Sequence, residues 1–89
     1  MPKMVITHGV TDVEKWLSFK GERAEAIAGM GGLNAVDLVA QDGSNAVAII
    51  GDVEDPATVM AGLASPPAEL AAAMERHGVL PPLTVYIEK

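Results

Sequence analysis

Cysteine is absent from the sequence, and basic and aromatic residues are scarce. Without cysteine the chain has no disulfide, no thiol nucleophile and no thiolate ligand for a metal. Six basic residues against twelve acidic ones leave a formal net charge of -6. Nucleic acids and anionic membranes are bound by basic surfaces, so we expect neither of them as a partner.

Long hydrophobic runs are also missing. No apolar run approaches the roughly 18 residues of a membrane-spanning helix, and the first residues lack the apolar segment of a signal peptide, so we expect a cytoplasmic protein. Hydrophobic residues nevertheless make up 49% of the chain, mostly as small aliphatic side chains, which indicates a packed globule. Its 89 residues suit a single domain over 1–89, which at this size buries only about 60–65% of its unfolded surface.

Two short apolar segments around a polar turn form the centre of the predicted fold. Residues 34–40 and 46–53 flank Gln41-Asp-Gly-Ser-Asn45, a pattern typical of a β-hairpin. Residues 4–10, rich in β-branched side chains, predict a strand before this hairpin, and the alternating residues 83–88 predict one after it.

Helices are predicted on either side of the hairpin. Thr11-Asp-Val-Glu14 has the spacing of a capping box, so the first helix is expected to begin at Thr11. The apolar stripe of this helix consists of Val13, Trp16, Leu17, Ala24, Ile27 and Ala28. Prolines in Ser65-Pro-Pro67 divide the second helical region into about 56–64 and 67–77, and Pro81-Pro82 separates it from the last strand.

The order β-α-β-β-α-β predicts a ferredoxin-like α+β fold, a four-stranded antiparallel sheet with the helices on one face. The strands are apolar at both sets of alternate positions, as in Ala46-Val-Ala-Ile-Ile50, although the helices can cover only one side. We therefore expect a homodimer in which the second face packs against its copy to form a barrel. The alternative is a monomer with an apolar exposed sheet.

The segment from Val5 to Trp16, with its Asp-x-x-x-Trp helix start, and the segment from Leu70 to Tyr86 resemble the dimeric α/β-barrel superfamily. Within it the chain is similar to antibiotic biosynthesis monooxygenase-like and stress-responsive barrel proteins. The resemblance implies a cofactor-independent monooxygenase or cyclase-like enzyme that acts on a hydrophobic aromatic or polyketide-like compound. A haem-degrading relative would have an asparagine on strand one, a tryptophan, and a histidine near the end of helix two. His77 could match the last, but strand one has Thr7 and His8 and the only tryptophan lies on helix one, so we expect no haem. The resemblance to cofactor-independent enzymes implies no other cofactor.

Two residues are candidates for catalysis. His8 lies in mid-strand among apolar neighbours, where it would act as a general base or as a donor to a bound carbonyl; the alternative is a structural histidine. Asp37 interrupts an apolar strand, where burial would make its carboxylate a proton acceptor; an exposed Asp37 would add only solubility.

Three residues are candidates for binding. Trp16 would line a pocket or pack in the core, and Tyr86 would reach the cavity or the dimer interface. His77 would act as a ligand contact at a cavity mouth or simply cap the end of its helix. The two histidines lack a ligand spacing, so no metal site is predicted. A non-catalytic ligand-binding or assembly module is the alternative to an enzyme.

Overall fold

The computed structural model describes all residues 1–89 and contains one four-stranded antiparallel sheet in the order β2-β3-β1-β4. The strands are β1 (Lys3–Val10), β2 (Gly32–Val39), β3 (Ala46–Val53) and β4 (Val79–Ile87). The helices are α1 (Val13–Ser18), α2 (Lys20–Gly29), α3 (Pro56–Ala64) and α4 (Ala68–Arg76). This topology confirms the predicted ferredoxin-like α+β fold. None of the helices is long and apolar enough to cross a membrane.

The first helix differs from the prediction in its start and in its continuity. Its N-cap is Asp12, whose carboxylate accepts from the Lys15 backbone N–H at 3.2 Å, so the prediction of Thr11 as the cap was wrong by one residue. Thr11 instead donates its backbone N–H to the Gly78 carbonyl at 2.9 Å, which ties it to the end of α4. The predicted single helix is also divided in two at Phe19.

The last strand is longer than the sequence predicted. β4 begins at Val79 rather than at residue 83 and includes Pro81-Pro82. It is an edge strand paired only with β1, so proline nitrogens without a hydrogen are tolerated on its outer side. The pairing shifts register between Thr7 and Gly9, next to these prolines. The predicted helix break at Ser65-Pro-Pro67 is confirmed.

The two faces of the sheet have different surroundings. On the helix face the inward side chains of β1 and β3 pack against Trp16 of α1 and Val59 of α3 in two adjoining clusters. The opposite side, called the bare face below, is covered by no element of the chain. Its large exposed hydrophobic residues are Leu33, Val36, Leu38, Leu80 and Tyr86.

Candidate active site

A small apolar cavity lies between the helix face of the sheet and the helices. Its volume is about 60 Å³, less than the roughly 150 Å³ of a protein cavity that holds benzene. Histidine and arginine side chains supply its titratable lining groups, namely His8, Arg23 and His77. The hydrophobic lining residues are Ile6, Trp16, Ala26, Ile27, Met30, Ile49, Leu63, Leu70, Ala73, Met74, Val79 and Leu83.

Arg23 of α2 holds the polar side of this cavity together. Its Nε and Nη2 atoms donate to the two carboxylate oxygens of Asp37 on β2, at 3.2 and 2.8 Å, and both side chains are less than a tenth exposed. Nη2 also donates to the Trp16 carbonyl at 2.9 Å, and the guanidinium carbon lies 3.9 Å from the centre of the Trp16 ring. The bidentate ion pair therefore holds the Arg23 guanidinium against the face of the Trp16 indole.

His77, at the end of α4, is the second member of the polar cluster. Its ring stacks on Phe19 with the centroids 4.4 Å apart, and its Nδ1 lies 3.4 Å from Nη1 of Arg23. Because arginine can only donate, Nδ1 must accept, and the proton of the neutral ring is on Nε2. Nε2 lies 3.5 Å from a carboxylate oxygen of Glu22 but has no hydrogen-bond partner. Burial lowers the pKa of His77, which favours this neutral form.

His8 carries its proton on the other ring nitrogen. Its Nδ1 lies 2.8 Å from the Gly9 carbonyl oxygen, which can only accept, so in the neutral ring Nδ1 holds the hydrogen and Nε2 keeps a free lone pair. Burial lowers the pKa of His8, and the positive charge of Arg23 adds to this effect. His8 is therefore a neutral imidazole whose basic nitrogen is available at the wall of the cavity.

A surface cleft lined by α2, α3 and α4 adjoins the cavity. The cleft has a volume of about 710 Å³ and shares Ala26, Met30, Leu70 and Ala73 with the cavity. Glu22 of α2 accepts from Arg76 of α4 across it, and both side chains are partly exposed. This ion pair therefore bridges the cleft beside the cavity.

The structure brings together four of the five residues that the sequence singled out. His8, Trp16 and His77 line the cavity, and Asp37 joins them through Arg23. Asp37 as a proton acceptor stays a prediction. In the structure both of its carboxylate oxygens accept hydrogen bonds from Arg23. Tyr86 lies apart on the bare face, where it is 59% exposed.

Arg23 was missed by the sequence reading. Its spacing from Trp16 and Ile27 puts Arg23 on the same apolar helical stripe, and this spacing indicates that the Arg23 side chain faces the core. The prediction instead placed Ala24 and Ala28 on that stripe, and both are exposed. A charged residue on an apolar stripe is an indicator of a buried ion pair.

We expect the protein to lose stability between pH 7.5 and pH 5.5. Burial lowers the pKa of His8 and His77 below the ordinary value of 6.5, so the unfolded chain binds protons in this range that the folded chain does not. The contribution of the two histidines to the free energy of unfolding is complete above pH 6.5 and falls as the pH drops toward their lowered pKa values. Urea unfolding at a fixed protein concentration should give a lower midpoint at pH 5.5 than at pH 7.5.

The matched control carries His8→Gln and His77→Gln together. Its midpoint should change much less over the same range, since the exposed carboxyls whose pKa is lowered, such as Glu22, titrate below their ordinary value of 4.5. An equally large loss in this double variant would contradict the assignment to the histidines.

Comparison with solved structures defines the class of fold. No protein-family model matches the sequence, and no curated protein does. The fold is that of antibiotic biosynthesis monooxygenase structures, which confirms the resemblance inferred from the sequence. At 6–21% identity in the structures compared, the likeness is one of fold.

Three individual structures illustrate the match. SnoaB, a cofactor-independent oxygenase from Streptomyces nogalater, is 18% identical with a TM-score of 0.67, over 99% of this chain and 92% of its own. The ActVA-Orf6 monooxygenase of Streptomyces coelicolor, in complex with nanaomycin D, is 21% identical with a TM-score of 0.63, over 99% and 85%. A dimeric ferredoxin-like protein from an uncultured marine organism is 6% identical with a TM-score of 0.61, over 100% and 93%.

Proposed function

We propose that this protein is a cofactor-independent monooxygenase acting on a hydrophobic aromatic compound bound in the cavity between sheet and helices. The observation that carries this proposal is His8, a neutral imidazole with a free Nε2 at the wall of an apolar cavity. The fold shared with SnoaB, described as a cofactor-independent oxygenase, supports it. So does the fold shared with the ActVA-Orf6 monooxygenase, whose structure contains the ligand nanaomycin D.

His8 starts the proposed reaction by removing a proton. Its Nε2 takes a proton from an acidic CH₂ group beside the aromatic ring. The resulting substrate carbanion then supplies the electrons that reduce O₂. One oxygen atom ends as a carbonyl on that carbon and the other leaves as water, so CH₂ and O₂ become C=O and H₂O. His8 returns its proton to the peroxide formed on that carbon. Neutral again, it removes the second C–H proton while the O–O bond breaks, and this proton joins the departing hydroxide as water. Apolar walls exclude water and keep the substrate anion weakly solvated.

Substrate binding requires the cavity to widen, and α3 and α4 are the elements suited to move. Among the residues of each helix, only Val59 of α3 and Ala73 of α4 are buried. The interruption at Ser65-Pro-Pro67 separates the two helices, so α4 can move away from α2 without carrying α3 with it. Breaking the solvent-exposed Glu22–Arg76 pair costs little, because water and salt screen the attraction between such charges.

The proposed enzyme is a cytoplasmic homodimer joined through the bare face. Five large hydrophobic side chains are exposed there on one side of the sheet, which is an apolar surface of the kind that interfaces cover. A structure with the same fold is a dimeric ferredoxin-like protein. The cavity lies on the other side of the sheet, so the dimer leaves it open to substrate.

Replacing His8 with alanine should reduce turnover roughly 100-fold or more, the usual contribution of a general base. The assay follows oxygen uptake with anthrone, an aromatic ketone with an acidic CH₂ group. The matched control is Thr7→Val, which changes the neighbouring residue on the opposite side of β1 and should alter the rate less than twofold. For the wild-type enzyme, kcat/KM should level off by neutral pH, because burial lowers the pKa of His8.

Two outcomes would count against this function. Turnover that survives His8→Ala unchanged would remove His8 as the base. Tight binding of anthrone without oxygen uptake would favour the second candidate, a non-catalytic ligand-binding module.

A further inference from the structure

We infer that the cavity binds its ligand through a carbonyl oxygen, which accepts hydrogen bonds from Nε1 of Trp16 and Nε2 of His77. This inference uses the same cavity as the proposed function and names the chemical group that the cavity recognises. It concerns binding alone, so it can be tested without turnover.

Trp16 supplies the first donor. The side chain is 0% exposed, and its Nε1 has no hydrogen-bond partner although the ring lines the cavity. An indole nitrogen can only donate, and buried donors are nearly always paired in folded proteins. The missing partner must therefore be an acceptor.

His77 supplies the second donor. Arg23 occupies Nδ1, which leaves the hydrogen on Nε2. Nε2 is buried and makes no hydrogen bond, although a carboxylate oxygen of Glu22 lies 3.5 Å away on the cleft side. Both side chains line the cavity, and both contact Arg23, one through its ring face and the other through Nδ1. Two unpaired donors favour an acceptor oxygen, and the Glu22 carboxylate near Nε2 favours a neutral carbonyl over an anion.

The chain contains a single tryptophan, so the indole N–H gives one assignable resonance in a ¹H–¹⁵N correlation spectrum. We expect 1-indanone to move this proton resonance downfield, as a new hydrogen bond does. Indane, which has the same rings without the oxygen, should not. A resonance that responds equally to both compounds, or to neither, would overturn the inference.

Calorimetric titration provides the second measurement. Wild-type protein should bind 1-indanone roughly tenfold more tightly than indane, since the ketone satisfies donors that indane leaves unpaired. Trp16→Phe keeps an aromatic ring but removes the N–H, and His77→Phe keeps the stacking on Phe19 but removes the other donor. Each should reduce the ratio of the two affinities severalfold.

Met74→Leu is the matched control, because it changes the apolar wall of the cavity without removing a donor. Its ratio should stay close to that of the wild type. A ratio near one in the wild type, or an undiminished ratio in both Phe variants, would refute the oxygen site. Either result would leave the His8 reaction to be judged by oxygen uptake, so the two failures are distinguishable.

Discussion

Replacing Asp37 with alanine is expected to lower the free energy of unfolding by about 3–5 kcal/mol, the usual cost of removing one partner from a buried ion pair. The Asp37 and Arg23 side chains are only 4% and 7% exposed, so the variant leaves a guanidinium charge buried without its carboxylate. Urea unfolding at a fixed protein concentration measures the loss. A variant that does not fold at all would also agree with a large loss of stability.

A double variant keeps this prediction testable. Arg23→Met with Asp37→Leu removes both charges and replaces them with hydrophobic side chains, so it should regain most of the stability lost by Asp37→Ala alone. The solvent-accessible pair of Lys3 and Asp52 is the matched control, and Asp52→Ala should lower the free energy of unfolding much less than Asp37→Ala does. Equal losses at Asp37 and Asp52 would contradict the assigned role of the buried pair.

Replacing Ile50 with lysine is expected to convert a dimer of twice the 9.2 kDa chain mass into a monomer. Ile50 lies on the bare face in the middle of the sheet, with Val5 and Val36 opposite it on the two neighbouring strands. In a two-fold interface the substitution buries two lysine charges without partners, which costs several kcal/mol. Light scattering after size-exclusion chromatography gives the mass, and circular dichroism checks that the fold is retained.

Ala28→Lys on α2 is the control for the added charge. Ala28 is exposed on the helix side of the molecule, so this variant should keep the mass of the wild type. A wild-type mass near 9.2 kDa at micromolar concentration would refute the homodimer. It would leave the cavity in place, because the cavity is formed within one chain on the other side of the sheet.

Local signals in the sequence were sufficient where the chain interacts mainly with its near neighbours. The break between α3 and α4 follows from Ser65-Pro-Pro67, because proline cannot continue a helix. The hairpin of β2 and β3 follows from Gln41-Asp-Gly-Ser-Asn45 between two apolar segments. Both depend on backbone constraints that act within a few residues.

Local signals failed where a distant part of the chain decided the outcome. Thr11 had the sequence of an N-cap, but Asp12 caps the helix, and the Thr11 backbone N–H, which a capping box would pair with Glu14, donates to the distant Gly78 carbonyl. Pro81-Pro82 had the appearance of a loop, but the position of β4 at the sheet edge accommodates both prolines within the strand.

The sequence by itself determined the ferredoxin-like order of elements and the excess of apolar residues on the strands, because hydrophobic periodicity and turn residues encode both. Only the tertiary structure decided how the polar residues combine. It pairs Arg23 with Asp37 across 14 positions of sequence and brings His77 to Arg23 across 54. It also separates Tyr86 from the cavity. Such contacts depend on how helices and strands pack, and hydrogen-bond partners far apart in the chain leave no periodic pattern.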